Sequence, residues 1–332
     1  MTTADVAVQP STGTTATRMF AWGMIGATFA YVVENYLMFW RDWPSALSAL
    51  SGGGGGLAFA TVAIYAAFIA LPVLNVLRTS GTGLRSEMSR MSGLANFIVR
   101  AAFWMVMLIG IADAVVSFLR VEEMLGGLVG QETADSWNYN SNRAPDLHLP
   151  LAGVAILIAA VTRSIGFHWL ALLVVVAELM IVLSRFIFSY EQAFMGDLVR
   201  FWYGALFLFA SAYTLFEDGH VRVDVLYAGM RDRNKGKVNA LGAILMGIIF
   251  CWVVIVMGMS TKSSLINAPL LSLEVTQTGF GMYVKYLMAG FLGVFAVSMM
   301  VQFCAQLIEG LADWRGDPGS RLHDRDDELP GH

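Results

Sequence analysis

Residues 166–188 read GFHWLALLVVVAELMIVLSRFIF, an apolar run whose only charged members are Glu178 and Arg185. About 20 such residues are what an α-helix needs to cross a hydrocarbon core roughly 30 Å thick. Lipid offers no water to backbone N–H and C=O groups, so a run of this kind satisfies them within itself, as a helix. Working outward, comparable runs recur at 19–40, 57–77, 95–119, 148–162, 198–216, 238–259 and 282–308, giving eight candidate spans. The whole chain is 57% hydrophobic and 14% charged, where soluble domains carry about 25% charged residues. The sequence therefore predicts an all-α, polytopic membrane protein. Segment 148–162 is the shortest run, and a re-entrant or interfacial segment is its alternative reading.

Charge distribution orients the spans. With a cytoplasmic N-terminus, the inner loops and borders hold Arg18, Arg78, Arg85, Arg90, Arg100, Arg163, Arg222, Arg231, Arg233, Lys235, Lys237, Arg315, Arg321 and Arg325. The outer side keeps Arg41, Arg120, Arg143, Arg185, Arg200, Lys262 and Lys285, a two-to-one bias that predicts both termini inside. The acidic loop 121–147 then lies outside. Residues 1–18 and 313–332 are expected to be disordered cytoplasmic tails, and Gly52–Gly56 a flexible outer loop. The first 17 residues lack the basic region of a secretory signal, so the first helix is expected to remain in the mature protein. Cys251 and Cys304 fall in predicted spans and are read as small apolar residues. No basic patch interleaved with aromatics points to nucleic acid.

Three stretches carry a resemblance. Ser164-Ile-Gly-Phe-His-Trp169 opens an apolar helix that ends in Arg185-Phe-Ile-Phe188. Gly204-Ala-Leu-Phe and Ala212-Tyr-Thr-Leu215 precede Asp218-Gly-His-Val-Arg-Val-Asp-Val-Leu-Tyr227. A last helix starts at Lys285 and carries Gln302. Residues 164–312 thereby resemble the small transmembrane (Q, DctQ-like) subunit of tripartite ATP-independent periplasmic (TRAP) transporters. The His-x-Arg-x-Asp turn is the most specific element. The chain departs from the family pattern with Phe194 and Asp197 where Trp and Glu are common, and with Ala289 in place of a proline. Residues 19–163 form an N-terminal extension of about four spans that the resemblance does not cover.

By this resemblance the chain is a small permease subunit and not an enzyme, with no cofactor or metal. Its implied partners are a large membrane subunit carrying the sodium and substrate sites, a periplasmic solute-binding protein, and phospholipids. The implied location is the bacterial inner membrane. His220, Arg222 and Asp224 are the candidate interface residues on the cytoplasmic side, with Arg185 and Asp197 on the outer side. A span that merely ends in an interfacial Arg and Asp is the plainer reading of that turn. Arg231, Arg233, Lys235 and Lys237 are either an anionic-lipid patch or simply a topology determinant.

Glu34, Asp113 and Glu178 lie within spans, where an ionised group costs at least about 2.5 kcal/mol. They are read either as an ion path or as three separate packing contacts. Small residues such as Gly23 and Ala27 are expected to let helices approach. His148 and His168 are expected at opposite depths, which excludes a shared haem. A stand-alone channel or carrier, and an anchor or assembly subunit of another complex, are the alternative functions.

Overall fold

A computed structural model of the chain describes residues 12–163, 167–217, 225–275 and 281–320. Among them there is no strand, and eight long helical segments dominate. In chain order they are α1 (Thr12–Trp40), α2 (Gly55–Arg78), α3 (Leu84–Val121), α4 (Asn140–Val161), α5 (Phe167–Ile187), α6 (Ala193–Phe216), α7 (Asp232–Met259) and α8 (Lys285–Arg315). Seven of these, α2 to α8, are long and apolar enough to cross a membrane. Helix α1 has 29 residues, ample length, but carries Arg18, Glu34 and Asn35 and falls short on composition.

The weakest of the expected spans is longer than its apolar run. Helix α4 begins at Asn140, not at His148, and its 22 residues reach about 33 Å. A π-helical turn at Ala144–His148 joins Asn140–Arg143 to Leu149–Val161 and accommodates Pro145 at its start. Such turns are usually single insertions within α-helices.

The chain packs as two compact units, one comprising residues up to Ala95, Leu215–Ile255 and Ala296 onward, the other Asn96–Thr214 and Val256–Phe295. Each unit draws helices from both sides of residue 164.

In the first unit α1 lies along α2. A Cβ built on Gly26 would come within 2.1 Å of the Phe68 carbonyl oxygen, so only glycine fits there. Pro72, four residues after Phe68, has no N–H to give that carbonyl. The freed oxygen is thus the one that α1 covers. Within the chain nothing lies within 4 Å of a Cβ on Gly23, so the close approach of α1 to α2 is at Gly26. The buried face of α1 runs through Ala21, Ile25, Thr28 and Ala30. Gly26→Ala should therefore lower stability by about 1–3 kcal/mol through overpacking, whereas Gly23→Ala should be neutral or slightly stabilising. Unfolding midpoints in detergent check this; equal effects at the two positions would refute the assignment.

Polar ties complete this unit. Glu34 accepts hydrogen bonds from the Tyr65 hydroxyl at 2.6 Å and the Ala46 N–H at 2.7 Å. Arg85 meets Asp313 at 2.6 Å. Helices α7 and α8 touch backbone to backbone at Gly236 and Gly310, where a Cβ on either residue would fall under 3.0 Å from the other's carbonyl oxygen. Cys251 and Cys304 are free and buried.

The second unit has an aromatic and aliphatic core that includes Phe103, Ile109, Leu170, Phe201, Trp202 and Phe291. Gly110 leaves room for the Trp202 indole, whose Nε1 donates to the Val106 carbonyl at 3.3 Å. Leu170 and Ala177 face this core from α5, while Trp169, Leu172, Val175, Leu179, Val182 and Phe186 of the same helix are exposed.

Candidate functional site

The most polar buried region of the second unit surrounds the short segment 281–284 that leads into α8. The first N–H groups of a helix, and those just ahead of it, have no intrahelical acceptor. Here two carboxylates supply acceptors from different helices. Asp197 of α6 accepts from the Met282 N–H at 3.1 Å, and Asp113 of α3 accepts from the Tyr283 N–H at 2.7 Å. Their negative charge also complements the positive end of the α8 dipole.

Asp113 has no exposed side-chain surface and is further held by two cationic or potentially cationic groups. Arg143 Nη1 and His148 Nε2 both lie 3.1 Å from its Oδ1. His148 Nδ1 is 2.9 Å from the Tyr286 hydroxyl, and a neutral imidazole that donates from Nε2 to Asp113 accepts at Nδ1 from Tyr286. Arg143 Nε donates to the Trp137 carbonyl at 2.9 Å. Two guanidinium groups lie over the Tyr283 ring, that of Arg143 at 4.1 Å and that of Arg120 at 4.7 Å from its centre. Arg120 also donates to the Gly281 carbonyl, and the Tyr283 hydroxyl to the Asn138 carbonyl. Asn140 donates at 2.7 Å to the carbonyl of Leu273, a residue in left-handed backbone conformation. The π-turn of α4 thus places Arg143 and His148 on one acid.

Beside this segment opens a cavity of about 560 Å³ lined by Leu208, Leu265, Val284, Met288 and Leu292, with Asp197, Arg200, Glu274 and Lys285 among its polar members. Lys285 pairs with Glu274 at 2.5 Å, and Arg200 lies 3.5 Å from Asp197. An apolar slot with a charged lip suits the side chain of a neighbouring helix or the chain of an amphiphile, not a small polar solute.

The expected site residues fall in several places. Asp197 is buried under α8, whereas Arg185 is two-thirds exposed and 3.7 Å from Glu191. Near it the Tyr190 hydroxyl donates to Glu122, and this bond to a carboxylate pushes the phenol up to about 12. Gln192 donates to the same Glu122 at 2.7 Å. Glu34 and Asp113 each have partners within the chain, and Glu178 is exposed on α5. His220, Arg222 and Asp224 lie outside the described residues.

Of the basic cluster, Lys237 sits over the Trp314 ring at 5.3 Å and Arg233 donates to the Trp314 carbonyl, while Lys235 is buried beside Asp232. Arg120, Arg143, Tyr283 and Tyr286 were not singled out from the sequence. The available signal is Arg143 five residues before His148 in a chain whose preceding span carries Asp113, but the apolar runs place both at or beyond the end of a span. Among the described residues no group of three His, Cys, Asp or Glu could hold a metal ion.

Comparison with known proteins bears on the C-terminal part of this assembly. Residues 172–313 match the family model described as tripartite ATP-independent periplasmic transporters, DctQ component. No curated protein and no solved structure gives a significant match to the chain. The matched region takes in α6, α7, most of α5 and nearly all of α8, and so Asp197, the 281–284 segment and the cavity beside it. The family is one of transporter components and not of enzymes. Residues 172–313, under half of the chain, are thus a region similar to the DctQ component of TRAP transporters, and the helices that precede them lie outside the match.

Proposed function

We propose that the chain scaffolds the large, sodium-coupled elevator subunit of a TRAP transporter in the bacterial inner membrane. The pair takes up an organic acid or related solute that a periplasmic binding protein delivers. The observation that carries this reading is the DctQ match over residues 172–313. The packing agrees with a supporting role. Asp113, Arg143 and His148 are consumed in internal contacts, which favours a rigid frame over an ion path.

In this reading both termini face the cytoplasm. His220, Arg222 and Asp224 form a joint with the large subunit or a phospholipid head group on that side, and Arg185 contributes on the outer side, where Asp197 acts from within by holding the Met282 N–H. The extension is part of the same frame, because Asp113 and Arg120 from the extension hold the segment before α8 of the DctQ domain.

The test is an affinity purification of the tagged chain from its native membrane in mild detergent. Recovery of a large multi-span permease is expected, reduced at least severalfold by Arg222→Ala or Asp224→Ala. Recovery of the chain alone, or with an unrelated complex, would refute the subunit reading. Transport by the purified chain without partners would do the same.

A further inference from the structure

The three acids within spans are treated differently by the fold. Glu34 is satisfied by the Tyr65 hydroxyl and a backbone N–H. Asp113 is satisfied by Arg143, His148 and a backbone N–H. Glu178 lies at the centre of α5, which spans Phe167–Ile187, and makes no hydrogen bond or ion pair among the described residues.

Its surroundings sharpen the contrast. Glu178 is exposed, on the face that also presents Val175, Val182 and Phe186, the last 78% exposed. Leu170 and Ala177, buried in the core, lie about a quarter-turn round the helix from Glu178, which therefore sits where the exposed face borders the buried one. The cation nearest along the helix, Arg185, lies seven residues away, about 10 Å along the axis, and its guanidinium is turned to Glu191. A carboxyl group on a lipid-facing helix at mid-depth is costly, and such groups almost always turn to a protein partner. The chain supplies partners to its other two intramembrane acids, so the missing one comes from outside.

We infer that the Glu178 face of α5 is an intramembrane docking surface for a helix of the large permease subunit, which brings a lysine or arginine side chain to Glu178 at mid-depth. This rests on the subunit reading above. It goes beyond that reading in placing the joint on α5, within the hydrocarbon layer, and in stating the chemistry of the contacting residue. Charge complementarity selects the occupant: an apolar helix would leave the acid unsatisfied, and a lipid chain offers no donor. The exposed valines and Leu179 around Glu178 supply the packing surface, since helix association in lipid depends on close contact as well as on polar groups.

The experiment compares the full-length wild type with Glu178→Leu and Glu178→Gln in affinity purification from the native membrane. A photo-crosslinking residue is placed separately at Val182. Glu178→Leu removes an unsatisfied acid from an exposed face, so the isolated variant should keep or raise its unfolding midpoint, which separates loss of binding from loss of fold. The expected result is recovery of the large permease by wild type, a loss of at least tenfold with either variant, and a crosslink from position 182 to that permease. If wild type recovers the permease and Glu178→Leu recovers it equally, this inference is overturned while the subunit reading stands. Crosslinking of position 182 to a second copy of the chain also overturns it. Failure of the wild type itself to recover a permease removes the subunit reading and this inference with it.

Discussion

Asp113→Ala is expected to destabilise the protein by about 3–5 kcal/mol, the range for stripping one partner from a buried ion pair. Asp113 and Arg143 have no exposed side-chain surface, and His148 has 2%. Alanine would leave the Arg143 charge buried without its counter-ion, free His148 Nε2, and remove the acceptor of the Tyr283 N–H at the start of α8. Asp113→Asn keeps an acceptor oxygen but not the charge, and should fall between wild type and alanine. The double change Asp113→Leu with Arg143→Met removes both charges and should recover most of the loss, because well-packed apolar replacements of a buried pair are often neutral. Thermal or denaturant unfolding of the detergent-solubilised chain reads all three. A loss under about 1 kcal/mol for Asp113→Ala, as exposed pairs give, would mean that water reaches the cluster and that it does not fix α8.

Such a cluster shows where reading the sequence stops. The long apolar runs of α2, α3 and α5 to α8 announce themselves, since each is close to the length a bilayer demands. The start of α4 does not. Residues 140–147 are polar and contain Pro145, which in a sequence signals a loop. They are helical because Asn140, Arg143 and His148 find buried acceptors at Leu273, Trp137 and Asp113. Those partners are separated by as many as 133 residues for Asn140 and Leu273. No local pattern encodes them.

The close approach at Gly26 is hidden for a different reason. Between Met19 and Val33 α1 is free of charge on every face and carries no strong periodic signal of which one is buried, so Gly23 and Gly26 cannot be told apart before packing is known. Asp197 was singled out by resemblance, at a position where the family commonly has Glu. Its carboxylate at the Met282 N–H gives a physical reason for an acid there. Glu178 was legible as an intramembrane acid, but its outward direction was not.

The second large effect is expected at Arg18, near the start of α1. Its Nε donates at 2.7 Å to Glu87 Oε2, Trp22 Nε1 donates at 2.6 Å to the other oxygen, and Arg18 Nη2 reaches the Thr79 carbonyl at 3.0 Å. Both side chains of the pair are nearly inaccessible, at 3% and 2%. Arg18→Ala would strand Glu87 with one neutral donor and leave the Thr79 carbonyl, just beyond α2, without this partner, again for about 3–5 kcal/mol. Glu87→Gln keeps an acceptor for one donor while leaving the arginine charge uncompensated, and should cost a comparable amount.

A double-mutant cycle with Arg18→Ala and Glu87→Ala separates pairing from local packing. A coupling of 0.5–3 kcal/mol is the usual range for residues that touch, and this buried pair should sit near its upper end, about 3 kcal/mol. Additive losses would instead assign the effect to the alkyl stem of Arg18, which also packs as apolar surface. Because Arg18 of α1 meets Thr79, just beyond α2, and Glu87 near the start of α3, strong coupling would mean that these helix ends are tied together by a charge pair that a positive-inside count registers only as one more arginine.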